Sequence, residues 1–314
     1  MSAPTAVKSK DYWLTPEIIS RSIFQTNPSV MCYELAPTGR VHAGIVRTLL
    51  YAEDIRRRAA TNAKTCHLVL RLNDRAAQKG TRVDSLMVGA EIAANMPART
   101  STSLTAIQQL REDIDVCATR FGVRIEQIQL VSTLYKDPKF LGIVNHALER
   151  AEDIRRELCH RQTAPVTLFH PLCGRCQRMY CAVPTLESWV GKGVYRCRAC
   201  GHRDVFNATS SEGLLAFKLE SSMMWEYFDA KVDLHGQDHI EAFDASAALS
   251  SMLSYRTPLL GRTNLTFNSA GKKVSKSADN FVPVAELNEA RCDELKARMV
   301  ATPWSRPLRL PAGF

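Results

Sequence analysis

This 314-residue sequence predicts an α/β fold: a parallel sheet, a helical insertion and a small metal-held module. Three observations carry that expectation. Apolar strand-like stretches alternate with helical ones toward both ends of the chain. Two strand-to-helix junctions contain glycine turns, at 36–47 and at 234–239. Five of the ten cysteines crowd into residues 173–200, four of them as two C-x-x-C pairs.

Residues 11–26 (DYWLTPEIISRSIFQT) read as helix, with Thr15 as N-cap before Pro16. Residues 30–35 read as the first strand. APTGRVHAGIVR (36–47) follows as a turn, and residues 44–60 as a helix. A helix N-terminus after a glycine turn offers free N–H groups and partial positive charge to a phosphate. TCHLVLRLND (65–74) is a buried strand. Strand–helix–strand predicts parallel pairing, with ligands at the carboxyl ends of the strands.

From 82 to 163 the pattern is mainly helical: DSLMVGAEIAANM, STSLTAIQQLREDIDVCATRFG and FLGIVNHALERAEDIRRELCHR. IEQIQLVST (125–133) interrupts it as a candidate strand of the main sheet. VDLHGQDHIEAFDASAALSSML (232–253) returns to strand–turn–helix, and GKKVSKSADN (271–280) is a basic loop. A helix over 284–300 and an extended tail close the chain. The expected division is 1–81 and 206–270 as two halves of a core. Residues 82–165 form a helical lobe, 166–205 a cysteine module, and 271–314 the basic loop with its following helix and tail.

Cys173-x-x-Cys176 and Cys197-x-x-Cys200 supply four thiolates at the spacing of a structural tetrahedral zinc site. Four protein ligands leave no open position for catalysis. Cys181 and His202 are nearby spare ligands, and Gly174 and Gly201 sit where the knuckles turn. Scattered thiols and the lack of a signal-like N-terminus fit a reducing, cytoplasmic setting. No apolar run reaches membrane-spanning length, so no membrane partner is expected. A net charge of +9 and a pI near 9.1 favour a polyanionic partner, a nucleic acid or a phosphate-rich substrate.

The order T-G-x-x-H-x-G, then G-x-D, then K-x-S-K-S resembles the catalytic core of class I aminoacyl-tRNA synthetases. HAGI stands at their HIGH motif and KVSKS at KMSKS. The four-cysteine module, FKLESSMMW (217–225) and HGQDH are similar to the class I lysyl-tRNA synthetases. That resemblance implies a Rossmann-like parallel sheet and ATP-dependent activation of an amino acid, lysine or a basic analogue. ATP with Mg and structural Zn are the implied cofactors. The implied acceptor is tRNA or another molecule.

It implies Thr38, Gly39, His42, Gly44, Gly236, Asp238, Lys273, Ser275 and Lys276 for ATP, with His42, Lys273 and Lys276 catalytic. Glu34, Glu220, Trp225 and His239 are implied for the amino acid, with Lys218 on the same matching run. Departures are Ile45 for a polar residue, Thr48 for an acid, and Asp279 for glycine. Few residues follow the loop, so the resemblance is to a core lacking the anticodon-binding region. Two other readings stay open: a truncated glutamyl-type enzyme that modifies a tRNA nucleoside, and a non-catalytic synthetase-like binding protein.

Overall fold

The computed structural model describes residues 13–23, 28–37, 39–76, 81–83, 86–88, 105–160, 167–184, 192–210, 212–275 and 280–314. Helix α1 (Pro16–Ser22) is capped by the Thr15 hydroxyl, which accepts from the Ile18 amide. Strand β1 (Ser29–Leu35), helix α2 (Ala43–Ala60) and strand β2 (Cys66–Leu72) form the first crossover unit. A short hairpin follows, β3 (Thr81–Val83) against β4 (Leu86–Val88). The helical expectation for 84–96 therefore fails at 86–88, and residues 84–85 and 89–96 lie outside those described. α3 (Ala106–Phe121) has a Thr105–Gln108 capping box and ends at Gly122, whose φ of 63° closes the helix.

β5 (Gln127–Leu130) is the expected strand inside the helical stretch. α4 (Val131–Leu134), α5 (Pro138–Leu148) and α6 (Ala151–His160) follow. The sequence suggested one helix over 140–161, but it breaks at Glu149–Arg150. Neither glycine nor proline marks the break. The Arg150 guanidinium instead reaches the Met252 carbonyl and Asp153, a long-range tether with no local signal.

The cysteine region forms β6 (Phe169–Pro171), β7 (Ala182–Pro184), β8 (Lys192–Cys197), β9 (Arg203–Asn207) and β10 (Gly213–Leu215). The chain then runs α7 (Phe217–Phe228), β11 (Ala230–Gly236), α8 (Ile240–Met252), β12 (Leu259–Thr263) and β13 (Thr266–Phe267). α9 (Glu289–Ala301) and β14 (Leu308–Arg309) close it. No helix among the described residues is long and apolar enough to cross a membrane.

The main sheet is parallel, in the order β12–β11–β1–β2–β5. Alternate residues of β1 face opposite layers. Met31, Tyr33 and Leu35 join a core with α1, α2, α3 and α9. α3 is thus a crossover helix of this core. Cys32 faces the other way, with Val69, Trp225 and Phe243. Beyond α7 and α8, a third cluster joins α4–α6 to the cysteine module.

Two buried arginines organise these layers. Arg47 on α2 has no carboxylate partner among the described residues. It donates to the carbonyls of Asn264 (3.2 Å), Pro303 (2.9 Å) and Arg306 (2.7 Å), tying the C-terminal segment to the core. β14 there lies parallel to β13. Arg71 on β2 donates to Asp233 on β11 at 3.0 Å across the intervening strand, both side chains fully buried.

Burial pushes the Asp233 carboxyl up, to about 6, against the pull of Arg71. Burial and the Glu34 charge raise Glu220 to about 8. Removing Arg71 takes away the cation that Asp233 bonds and that also draws on Glu220. Arg71→Met is expected to lower urea-unfolding stability by about 3–5 kcal/mol at neutral pH. Without Arg71 the Asp233 carboxyl protonates above its present value of about 6, which relieves the repulsion, so the loss shrinks as pH falls toward about 6. A loss independent of pH would contradict this assignment.

Candidate active site

The chain moves outward from β1 through β2 to β5, then returns to lay β11 on the other side of β1. The carboxyl ends of β1 and β11 therefore flank the crevice where strand order reverses, the usual ligand position in such sheets. Each strand delivers one glycine turn there.

At the β1 turn, His42 caps α2, its Nδ1 accepting from the Gly44 amide at 3.0 Å. A Cβ on Gly44 would lie 2.9 Å from that ring and 3.8 Å from Thr266 Oγ1, so only glycine fits beneath the imidazole. The first turn of α2 carries no acid to neutralise its N-terminal partial charge. Ile45 is buried in the core, which is why an apolar residue serves there. Thr48 bonds Thr263 at 3.0 Å and so ties α2 to β12. Gly39 is partly buried, and Thr38 lies outside the described residues.

Arg40 locks this turn. Its guanidinium forks onto Asp113 at 2.7 and 2.8 Å and reaches Glu286 at 2.9 Å. Asp113 also accepts the Val41 amide at 3.0 Å, while Val284 donates to the Val41 carbonyl at 3.0 Å.

At the β11 turn, a Cβ on Gly236 would come within 2.6 Å of Asp238 Oδ1. Asp238 Oδ2 accepts Lys273 Nζ at 2.7 Å. Burial alone would raise this carboxyl, but the Lys273 bond and the His239 charge hold it below the usual range. Lys273 bridges Phe267 of β13, and the Val274 amide donates to the Thr266 carbonyl at 2.8 Å. Asn280 closes the loop base: it donates to the Lys273 carbonyl at 2.8 Å and accepts the Ser275 amide at 3.1 Å. Phe281 then meets the His42 ring edge-on, 5.2 Å between centroids. His42, Gly44, Asp238 and Lys273 are thus linked through β13 and the loop base. Lys276 and Asp279 lie outside the described residues.

Behind this mouth lies a buried acidic group. Glu34, at the carboxyl end of β1, accepts Asn73 Nδ2 at 3.2 Å and lies 3.8 Å from Arg71. The indole of Trp225, which is fully buried, donates to Asp233. Glu220, also fully buried, accepts the Tyr135 hydroxyl. Arg75 stacks over the Tyr135 ring at 4.8 Å and donates to the Gly213 carbonyl at 2.6 Å. Glu34 Oε2 and Glu220 Oε2 are buried without a hydrogen-bond partner. His239 stands apart on the rim, 57% exposed.

The sulfurs of Cys173, Cys176, Cys197 and Cys200 lie within 4.8 Å of one another. Cys173–Cys200 and Cys176–Cys197 are each 3.7 Å apart. Four ligands at about 2.3 Å from a tetrahedral zinc would be separated by about 3.8 Å, so these residues fit the metal. The two knuckles match: the Gln177 amide bonds Cys173 O and the Gly201 amide bonds Cys197 O, both at 2.9 Å. Gln177 (φ 55°) and Gly201 (φ 73°) take the left-handed positions, whereas Gly174, expected at such a turn, does not. Among described residues, Cys181 and His202 are outside the ligand cluster, and His202 lies 3.6 Å from Asp204.

A family model described as tRNA synthetases class I (K) matches residues 15–303. The chain belongs to this family of class I synthetases. Among its relatives is a lysine–tRNA ligase of Cenarchaeum symbiosum (strain A), 26% identical over 153 residues. The match covers 45% of this chain and 29% of that protein. A second from Cenarchaeum symbiosum is 28% identical over 126 residues, 36% of this chain and 24% of the relative. The similarity thus spans under a third of either relative. A tyrosyl-tRNA synthetase structure from Archaeoglobus fulgidus, complexed with L-tyrosine, aligns at 14% identity and a TM-score of 0.47. It covers 85% of this chain and 64% of its own.

Sequence reasoning missed Asp113, Asn280, Arg71 and Asp233. The last two had a signal, since a charge inside an apolar strand (VLRL, KVDL) must find a partner. Two outcomes test the site's construction. Purified protein should carry one zinc per chain, lost in Cys176→Ser and kept in Cys181→Ser and His202→Ala, by metal analysis. Asp113→Ala, which frees Arg40 and the Val41 amide, should lower urea-unfolding stability by about 1–3 kcal/mol while zinc content stays unchanged.

Proposed function

We propose that this chain activates an amino acid with a cationic side chain, lysine or a basic analogue, as its adenylate using ATP. The acyl group then passes to tRNA or another acceptor. The supporting observation is the surplus of carboxylate behind the mouth: Glu34, Glu220 and Asp233 against Arg71 and Arg75, with one oxygen of each acid lacking a hydrogen bond. A buried acid with an oxygen that lacks a hydrogen bond suits an ammonium and disfavours an acidic or neutral substrate.

On this reading the α2 N-terminus, with His42 and Gly44, receives the ATP phosphates. Asp238 approaches the ribose. An oxygen of the amino-acid carboxylate attacks the α-phosphorus, and pyrophosphate leaves. Lys273 and Lys276 neutralise charge on the departing oxygens, and Mg accompanies the nucleotide. In the free protein Lys273 is held by Asp238, so ATP must part that pair. Asp238 is thereby released toward the ribose as Lys273 moves to phosphate. Trp225 orients Asp233 from below, and His239 lies at the rim where the α-amino or carboxylate end enters. The four cysteines hold zinc as a structural ion remote in role from this chemistry.

Amino-acid-dependent exchange of pyrophosphate into ATP, across all amino acids and with or without tRNA, tests this. Lysine or a basic analogue should support exchange, and Lys273→Ala should slow it about 10²–10³-fold. Exchange with glutamate alone, or with nothing, would overturn the assignment. A bound ammonium favours ionised Glu220, so lysine affinity should rise as pH climbs toward about 8. Titration calorimetry showing affinity flat with pH would remove Glu220 from the pocket.

A further inference from the structure

The zinc module carries a surface that the adenylation chemistry does not use. Its three-stranded sheet, β7–β8–β9, turns Tyr195, Cys197 and Phe206 inward. The alternate residues point outward: Lys192, Val194 and Arg196 on β8, Arg203, Val205 and Asn207 on β9. The register places Val194 opposite Val205 and Arg196 opposite Arg203. Val205 is 71% exposed, and both arginines are exposed without an ion-pair partner among the described residues.

Like charges directly opposite on an antiparallel pair oppose folding. This module holds such a pair although its fold leans on a metal. Across the described residues of 167–210, Arg175, Arg178, Lys192, Arg196, Arg198 and Arg203 face a single carboxylate, Asp204. Four cysteinates on a zinc ion would add a charge of about −2, which leaves the module cationic. Lys192 and Arg196 stand four residues apart, about 13 Å along the strand, and bracket the valine pair.

We propose that this outward face is an RNA-docking surface. Arg196, Arg203 and Lys192 contact the phosphate backbone, and Val194 and Val205 contact sugars or bases between them. The choice of RNA rests on the reading that tRNA is the acceptor. The charge argument for a polyanion stands without it.

The test uses the full zinc-loaded chain and unfractionated tRNA, with binding followed by anisotropy across a salt series. Arg196→Gln/Arg203→Gln should weaken binding about tenfold near 0.1 M salt and flatten the log–log salt slope by about 1.5. Arg203→Glu gives Arg196 a cross-strand partner. It should raise the thermal midpoint or leave it unchanged while still weakening tRNA binding, an outcome a purely structural role does not produce. Zinc content and tRNA-independent pyrophosphate exchange should match the parent in both variants. Unchanged tRNA affinity in either folded variant, or equal loss with a heparin competitor and no preference for tRNA, overturns the proposal. Failure of pyrophosphate exchange in the parent chain would instead strike the adenylation reading, and the tRNA titration would still decide this surface.

Discussion

The structure depends on one topological constraint, the reversal of strand order between β1 and β11. Parallel pairing of these two strands brings two junctions distant in sequence, 36–44 and 236–239, to the same edge of the sheet. Each junction is tight for a local reason. His42 folds over Gly44, and Asp238 folds over Gly236. A third segment completes the mouth because β13 carries Lys273 back to Asp238. The C-terminal segment braces β13 from its other edge, and Arg47 holds that segment through backbone carbonyls alone.

A second constraint is electrostatic. Burying Arg71, Asp233 and Glu34 of the sheet against Glu220 of α7 is costly unless each charge finds a partner. Arg71 and Asp233 share one hydrogen bond, and Trp225 adds a donor to Asp233. Glu34 and Glu220 keep an oxygen each without a hydrogen bond. Such residual frustration is expected where a ligand supplies the missing charge. It also links fold and function physically: the face of the sheet that packs α7 is the face that would select the substrate.

The crossover units were legible because their signals are local. Apolar strands, the Thr15 and Thr105 caps and the Gly122 stop all reside within a few residues of the elements they define. The cysteine spacing was equally readable, and the sulfur geometry fits it. What escaped were features set at long range. The break at Glu149–Arg150 answers to α8, far away in sequence. The left-handed knuckle position fell on Gln177 instead of Gly174, since hydrogen bonding to Cys173 O decides it and not residue preference. Asp113 and Asn280 look like ordinary helix and loop polar residues until the fold sets them against Val41 and Lys273. Trp225, read as pocket lining, is fully buried with its indole bonded to Asp233, a contact that no local signal announces.

The central claim is that the phosphate-receiving mouth and the acidic group behind it form one continuous site. Calorimetric binding of two non-hydrolysable adenylate analogues, one carrying a lysyl chain and one its uncharged norleucyl isostere, addresses this directly. The account predicts that the lysyl compound binds at least about tenfold more tightly, a difference of about 1.4 kcal/mol or more, and that Glu34→Gln erases the gap. Equal affinities in the parent protein would contradict it.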